Sequence, residues 1–261
     1  MAKELWLFGT FKDKLTRSGT RSIIEAMTPE LAKHQGTSLH IGVCPTFVAL
    51  DEVLRVAPET GIAVGAQDCT WADSVSFTGG TSCASLVELG VSHVILGHSE
   101  RRLYLGETDE MVYRKASAAI AAGLVPIVCI GEFYDDVLAE RVEPAIRAQV
   151  EALAPALRES SPEAVILAYE PAWAISTSKQ GLKCEPDVAR QRHALVREIV
   201  ADAVSPEHAA AIRLLYGGSV DGSNGADYFT QVGVDGGLVG SASQTPEKFT
   251  ALIAAAATST T

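Results

Sequence analysis

The stretch that decides the fold class reads Ile166-Leu167-Ala168-Tyr169-Glu170-Pro171-Ala172-Trp173-Ala174-Ile175. Its first four residues continue an apolar run that begins at Ala164, which is typical of a parallel strand buried on both faces. A carboxylate, Glu170, follows the run directly. Comparable apolar runs lie at residues 5–8, 39–43, 62–66, 93–96, 125–130, 214–216 and 237–239. The sequence therefore predicts about eight short, buried strands.

Segments of helical period separate these runs. Candidate helices cover residues 20–34, 82–89, 108–122 and 187–203. Thr108 precedes Asp109 and Glu110, which predicts a helix start with a side-chain cap and acidic residues in the first turn. Gly123 follows two alanines and is a typical helix end. Strands that alternate with helices in this way indicate an α/β protein, either a closed barrel or an open doubly wound sheet.

Polar residues at the strand ends favour the closed barrel. An open sheet usually carries a glycine-rich phosphate loop after an early strand, whereas the first run here ends in Gly9-Thr10-Phe11-Lys12. Many runs end instead in a polar residue, and these residues are Lys12, Gln67, His98, Glu132, Glu170, Ser219 and Ser241. In a barrel, such ends meet at one mouth. We predict a closed (β/α)8 barrel, as a single domain over residues 1–261, with residues 255–261 as a frayed helix and flexible tail.

Length, composition and charge agree with this prediction. The 261 residues are 47% hydrophobic, and a barrel of this kind typically needs ~250 residues. The formal net charge of -11 argues against a nucleic-acid-binding protein, which must neutralise phosphates. No apolar run reaches the ~18 residues of a membrane span. The five scattered cysteines form no metal-type pair, which predicts reduced thiols, no metal site and a cytoplasmic location.

A histidine follows the fourth run, within Ile95-Leu96-Gly97-His98-Ser99-Glu100. A histidine near a core is more often structural than catalytic. This one, however, lies at a strand's carboxyl end and follows a glycine that permits close backbone approach. We therefore predict a catalytic role for His98 and interpret the other five histidines as structural or solvated.

Glu170 is the candidate proton acceptor. A carboxylate that follows a buried strand is partly shielded from water, which makes it a better base. The alternative is a structural carboxylate paired with an arginine. The apolar residues after Glu170 disfavour that alternative, because an apolar segment between strand and helix suits a closing lid.

Small residues after the last two runs predict an anion site. The two segments are Tyr216-Gly217-Gly218-Ser219-Val220 and Gly237-Leu238-Val239-Gly240-Ser241. Small side chains let backbone N–H groups converge on an anion, and barrels commonly bind phosphate after strands seven and eight. Lys12 at the end of the first run adds positive charge to the same mouth.

Taken together, these segments resemble the triosephosphate isomerase family over nearly the whole chain. Four segments in the family's order carry the resemblance: Leu96-Gly97-His98-Ser99-Glu100-Arg101-Arg102, Cys129-Ile130-Gly131-Glu132, Ala168-Tyr169-Glu170-Pro171-Ala172-Trp173-Ala174-Ile175 and Tyr216-Gly217-Gly218-Ser219-Val220. The resemblance implies a TIM barrel that interconverts dihydroxyacetone phosphate and D-glyceraldehyde 3-phosphate in glycolysis and gluconeogenesis. It also implies that no cofactor and no metal take part.

That family is a standard example of a base paired with a neutral imidazole, and its mechanism is carried over here by resemblance. It implies that Glu170 removes the proton beside the substrate carbonyl, that His98 polarises the carbonyl and that Lys12 offsets negative charge. Residues 171–179 would form a lid that keeps water from the enediolate. The implied substrate-binding residues are Thr10, Lys12, Ser176, Ser219, Gly240 and Ser241. Glu100, Arg101 and Glu107 would support the site, and the family implies a homodimer in which residues 72–80 enter the partner.

The chain departs from the family pattern at the mouth and in the dimer loop. Thr10 replaces an asparagine, Ser176 and Ser178 replace lid glycines, and Ser241 replaces a glycine beside the phosphate. Asp68 and Gly80 replace an asparagine and a glutamate.

These departures leave the choice of substrate open. A triose phosphate is the main interpretation, and a four-carbon erythrulose phosphate is the alternative, because a Gly-Thr start resembles relatives that act on such ketoses. A sugar-phosphate-binding protein without turnover is disfavoured by the intact Glu170 and His98. An aldolase that forms a Schiff base on Lys12 is disfavoured because a lysine beside phosphate is not desolvated.

Overall fold

The computed structural model describes residues 3–71 and 76–260. Eight parallel strands form a closed barrel in chain order, and the last strand pairs with the first. The strands are β1 (Leu5–Thr10), β2 (Leu39–Cys44), β3 (Ala63–Ala66), β4 (His93–Leu96), β5 (Val125–Ile130), β6 (Ile166–Tyr169), β7 (Arg213–Tyr216) and β8 (Gly236–Val239). The predicted closed (β/α)8 barrel is confirmed.

Helices connect the strands around the outside of the barrel. Among the described residues the α-helices are α1 (Arg17–Leu31), α2 (Leu50–Leu54), α3 (Ala57–Thr60), α4 (Cys83–Leu89), α5 (Ser99–Leu105), α6 (Asp109–Ala121), α7 (Tyr134–Leu138), α8 (Val142–Arg158), α9 (Pro186–Ala203), α10 (Pro206–Ala211), α11 (Gly225–Phe229) and α12 (Pro246–Thr258). Short 3-10 helices lie at Ala32–His34, Phe47–Ala49, Pro162–Ala164 and Ser241–Gln244. Within the described ranges, no helix has both the length and the apolar character to cross a membrane.

The helix-end signals of the sequence act as expected, with small differences in the boundaries. The Thr108 hydroxyl accepts a hydrogen bond from Met111 N (3.2 Å) and caps α6, and Gly123 adopts a φ of 87° after it. Helix α1 begins three residues before residue 20, because the side chain of Thr16 accepts from Gly19 N (3.2 Å) and caps it.

The carboxyl-terminal helix is more regular than expected. A frayed helix and flexible tail were predicted for residues 255–261, but α12 continues to Thr258. The backbone oxygen of Thr260 accepts from Lys3 N (3.2 Å), which ties the end of the chain to its beginning. This contact and the buried apolar face of α12 hold the helix, and the flexibility of the tail stays a prediction.

The two-residue period of a strand decides which side chains face the barrel axis. On β1, Phe8 packs inside the barrel, whereas Leu5 and Leu7 pack outward against the helices. On β6 the inward residues are Ile166 and Ala168. The same alternation directs the next even-numbered residue, Glu170, to the inside at the carboxyl end of the barrel.

Two buried histidines generate a prediction about pH. His93 packs its ring 4.7 Å from that of Phe8, and His193 donates from Nδ1 to the Gly233 carbonyl (3.1 Å). Burial lowers the pKa of His93 to about 4 and that of His193 to about 3. Both rings are therefore neutral in the folded protein at pH 5, whereas an exposed histidine with a pKa of about 6.5 is largely protonated.

We expect the free energy of unfolding to fall as the pH drops from 7 to 5. The unfolded chain takes up protons that the folded chain does not, so stability is complete above about pH 6.5 and lost on acidification toward pH 4. The loss at pH 5 is about 2 kcal/mol for each histidine. Urea unfolding of wild type and of His193→Gln at pH 7 and at pH 5 measures this loss of stability. Equal pH dependence in the two proteins would contradict the assignment to His193.

Candidate active site

The structure brings the predicted catalytic and substrate-binding residues to one narrow cleft at the carboxyl ends of the strands. The cleft is lined by Thr10, Lys12, His98, Glu170, Ser176, Ser219, Gly240 and Ser241, together with neighbouring apolar and glycine residues. Of the predicted supporting residues, Glu100 and Arg101 line a larger adjoining cavity of about 460 Å³, and Glu107 is buried behind it. Residues from β1, β4, β6, β7 and β8 are therefore neighbours in space, although they are far apart in the sequence.

Gly97 turns His98 into the cleft. Ile95 faces the barrel interior, so simple alternation would direct residue 98 outward. Gly97 adopts a φ of 70°, a left-handed conformation that residues with a Cβ rarely take. A Cβ at this position would also lie 3.1 Å from the Cys129 carbonyl oxygen. The glycine before the histidine is thus required by both conformation and space.

The hydrogen bonds of His98 fix its tautomer. His98 is the residue before α5, and its Nδ1 accepts from the Glu100 backbone N–H (3.2 Å). Because Nδ1 is an acceptor, the neutral ring carries its proton on Nε2. That nitrogen lies 3.2 Å from Oε1 of Glu170. The imidazole is therefore arranged to donate a hydrogen bond into the cleft.

Glu170 is almost completely buried, with 3% of its surface exposed. The Ser99 backbone N–H donates to one carboxylate oxygen (3.0 Å), and the Ser99 hydroxyl donates to the other (2.7 Å). The sequence analysis did not identify Ser99. The available signal was its position, because a short polar residue at the start of a helix directly follows the predicted catalytic histidine.

Lys12 is held at the mouth by its backbone and by an ion pair. Its φ of 51° is unusual for a residue with a side chain, and the Gln67 amide stabilises this turn by donating to the Lys12 carbonyl (2.9 Å). The Lys12 ammonium lies 2.7 Å from Oε1 of Glu100. Burial raises the pKa of Glu100, but the hydrogen bond and charge of Lys12 outweigh it, so this pKa lies below its usual value.

A buried group of charged residues supports the turn before His98. Oε2 of Glu107 accepts from the Gly97 backbone N–H (3.2 Å), and Lys115 pairs with the same carboxylate. Asp68 completes the group, because it lies 2.5 Å from Arg101 and 2.7 Å from Lys115. Asp68, which replaces a family asparagine, is therefore the second carboxylate, after Glu107, that pairs with Arg101 and Lys115.

Three of the four backbone N–H groups that were predicted to bind phosphate have no hydrogen-bond acceptor among the described residues and could donate to an anion. Within residues 3–71 and 76–260, the N–H groups of Ser176, Gly240 and Ser241 donate to no protein acceptor. The fourth residue differs, since Ser219 donates to the Ala174 carbonyl from both its backbone nitrogen (3.1 Å) and its hydroxyl (2.9 Å). An anion that used Ser219 N–H would have to displace this contact with the predicted lid.

The predicted lid is attached at its stem through Glu132, which is fully buried. Oε1 of Glu132 accepts from the Trp173 indole N–H and from the Tyr169 hydroxyl, both at 3.0 Å. Ser178, which replaces a family glycine, donates its hydroxyl to the Trp173 carbonyl (2.8 Å). The serine thus ties the end of the lid to its stem.

Comparison with known proteins gives a consistent result. The family model described as "Triosephosphate isomerase" matches residues 5–256. A protein named triosephosphate isomerase from Symbiobacterium thermophilum is 42% identical over 93% of both chains. Another with that name from Alkalilimnicola ehrlichii is 40% identical over 92% of this chain and 94% of its own. A third, from Paracidovorax citrulli, is 38% identical over 98% of this chain and 100% of its own.

The match covers the segments that form the cleft as well as the strands that form the barrel. The predicted resemblance is confirmed, and the chain belongs to the triosephosphate isomerase family.

Proposed function

We propose that the protein is a triose-phosphate isomerase that interconverts dihydroxyacetone phosphate and D-glyceraldehyde 3-phosphate through an enediolate. The observation that carries this proposal is the distance of 3.2 Å between Nε2 of His98 and the carboxylate of Glu170 in the cleft. Rotation of Glu170 away from this resting contact would place a base and a proton donor beside adjacent atoms of one small substrate. Membership of the family supports the same reaction.

The substrate would be held by its phosphate. The free N–H groups of Ser176, Gly240 and Ser241 lie at one side of the cleft, and a Cβ built on Gly240 would lie 3.7 Å from Cε of Lys12. Backbone N–H groups together with an ammonium can bind a phosphate dianion despite the acidic net charge of the chain. The chemistry needs no cofactor.

Glu170 and His98 would move the protons. Glu170 takes a proton from the carbon beside the carbonyl, and the C–H electron pair forms a carbon–carbon double bond while the carbonyl pair moves onto oxygen. Nε2–H of His98 stabilises that oxygen by hydrogen bonding as it becomes negative. His98 then gives its Nε2 proton to that oxygen and takes the proton of the neighbouring hydroxyl, so the negative charge moves to the second oxygen. As the second oxygen re-forms a carbonyl, Glu170 returns its proton to the carbon that carried the first carbonyl, which gives the isomer. Lys12 offsets the charge of the intermediate.

Glu170 must leave Ser99 for this reaction. Both of its carboxylate oxygens are occupied by Ser99, so the side chain has to rotate before one oxygen can accept a proton from carbon. Gly217 flanks the glutamate, and a Cβ there would lie 3.3 Å from Cβ of Glu170. The missing side chain leaves room for that rotation.

Assays with purified protein test the proposed reaction. We expect rapid turnover of D-glyceraldehyde 3-phosphate and exchange of deuterium from D2O into the substrate carbon. An erythrulose phosphate serves as the comparison, because Thr10 is shorter than the family's asparagine and has no side-chain amide N–H to donate. Spare volume alone discriminates by only ~10–200-fold. A kcat/KM for the triose several orders of magnitude below that for the tetrulose would overturn the proposal.

A substitution tests the base. Glu170→Asp keeps the charge but withdraws the carboxylate by one methylene, and we expect a loss of ~10²-fold or more in kcat through misplacement. The matched control is Glu163→Asp, which shortens an exposed carboxylate in the 3-10 helix that precedes the same strand and should behave as wild type. Activity of Glu170→Asp within a few-fold of wild type would remove Glu170 from the role of base.

We also propose a homodimer. The 460 Å³ cavity beside Lys12 and Glu100 is lined in part by Phe47, Tyr104 and Leu105. These three side chains are 41%, 65% and 66% exposed, so an apolar rim surrounds the cavity. A partner's loop, residues 72–80, would fill the cavity and shield the charged groups next to it from water.

Part of this loop, residues 72–75, lies outside the described residues, but its base is described. Thr70 N donates to the Thr81 carbonyl (2.9 Å), which closes the loop. A Cβ at position 80 would lie 2.3 Å from Cγ2 of Thr70. The glycine that replaces a family glutamate at this position therefore permits a close contact at the base of the loop.

Light scattering tests the assembly. We expect a dimer at micromolar concentration, and we expect Leu105→Asp to give a monomer with reduced kcat/KM because it places a charge in the apolar rim. Val232→Asp is the matched control, since Val232 is 83% exposed and does not line the cavity. A monomeric wild type, or a dimer that Leu105→Asp leaves intact, would contradict the proposed interface.

We also propose a cytoplasmic location. All five cysteines are buried, and Cys44, Cys69, Cys129 and Cys184 are free thiols. Reduced thiols suit a reducing compartment. Fractionation of the source cells with antibody detection would test the location.

A further inference from the structure

The tip of the lid contacts the catalytic lysine. The hydroxyl of Thr177 donates to Oε1 of Glu100 (2.8 Å) and accepts from the Lys12 ammonium (3.4 Å). Glu100 Oε1 thus receives hydrogen bonds from both Lys12 and Thr177. In the part of the chain that the structure describes, Thr177 is the lid residue whose side chain hydrogen-bonds to a proposed catalytic group.

Thr177 lies where its hydrogen bonds can also influence the neighbouring lid residues. Thr177 lines both the 460 Å³ cavity and a second cavity of about 210 Å³ between the lid and α5. The preceding lid residues, Ile175 and Ser176, line the cleft that contains His98 and Glu170. A lid held at Thr177 therefore keeps the N–H group of Ser176 close to the cleft and to Lys12.

We propose that Thr177 is a positioning residue, whose hydroxyl fastens the lid tip to the Lys12–Glu100 ion pair. The fastening keeps the ammonium of Lys12 in place to bind the substrate phosphate and keeps the lid over the cleft. This inference rests on the proposed isomerase function, because it concerns Lys12 and the lid of that site. Thr177 does not touch the atoms that react.

The charges around the hydroxyl explain why one hydrogen bond matters here. The Lys12 and Glu100 side chains are 10% and 27% exposed, so their pairing is only partly screened by water. A hydrogen bond to a charged group is stronger than one between neutral groups. Thr177 bonds to both members of the pair, so it restricts the carboxylate and the ammonium at once.

Two substitutions at this position separate the hydroxyl from the rest of the side chain. Thr177→Val keeps the shape but removes the hydroxyl, and we expect KM for D-glyceraldehyde 3-phosphate to rise roughly 3- to 20-fold with kcat within about threefold. Thr177→Ser restores the hydroxyl and should return KM to within about twofold of wild type. The matched control is Thr230→Val, since Thr230 donates its hydroxyl within its own helix end, to Ala226 O (2.7 Å).

A second readout does not depend on activity. Lys179 is exposed and lies two residues after Thr177, so trypsin can cut after it when the lid detaches. We expect Thr177→Val to be cut faster after Lys179 than wild type, with the cut assigned by mass spectrometry. Thr177→Ser and Thr230→Val should be cut at the wild-type rate.

Several outcomes of these two experiments would overturn the proposal. The proposal is overturned if Thr177→Val matches wild type in both KM and cleavage, or if Thr177→Ser is as impaired as Thr177→Val. It is also overturned if Thr177→Val lowers kcat and leaves KM unchanged, since the hydroxyl would then act on the chemical step. If wild type does not turn over the triose phosphate, the proposed function fails, whereas the cleavage comparison still tests the attachment of the lid.

Discussion

Closure of eight parallel strands into one barrel brings all their carboxyl ends to a single rim, and the site depends on that constraint. A strand alternates its side chains between the interior and the helices, so the last inward residue of each strand arrives at the rim. Thr10 and Glu170 reach the cleft in this way from β1 and β6. The apolar interior beneath them, which includes Phe8, Ile166 and Ala168, is a packed floor that keeps these positions fixed.

His98 reaches the cleft by a different route, and its tautomer depends on its neighbours. The left-handed turn at Gly97 reverses the alternation, and the Glu107 carboxylate stabilises this turn by accepting from Gly97 N–H. The first turn of α5 then directs the Glu100 N–H at Nδ1, so the tautomer with its proton on Nε2 directs that donor toward Glu170. Glu100 also pairs with Lys12, so that one residue positions both a proton donor and a cation.

Within the described residues, the predicted lid contacts the barrel through groups of different chemistry. Trp173 is bonded to a fully buried carboxylate at the stem, Ala174 accepts from Ser219, and Thr177 contacts a charged pair at the tip. The middle contact links the lid to ligand binding. A phosphate that took the Ser219 N–H would have to break the bond to Ala174, so occupation of the proposed phosphate site would change how the predicted lid is held. The hydroxyl of Ser178 ties the lid to itself and favours its movement as one body.

The sequence alone determined the barrel and the candidate chemical groups. A continuous apolar run such as residues 125–130 indicates a strand that is buried on both faces. Eight such runs that alternate with helices are compatible with few architectures. The runs also located the strands to within two residues at most ends. The residues of the cleft were identified because each follows such a run. The tertiary structure alone decided their contacts. These are the two hydrogen bonds from Ser99 to Glu170, the hydrogen bond from Ser219 to the Ala174 carbonyl and the hydrogen bond from the Thr177 hydroxyl to Glu100. The pattern of a strand shows only which of its side chains are buried. These contacts, by contrast, join residues up to 77 positions apart in the sequence. Their distances depend on closure of the barrel and on loop conformations, and loops have no periodicity from which a conformation could be predicted.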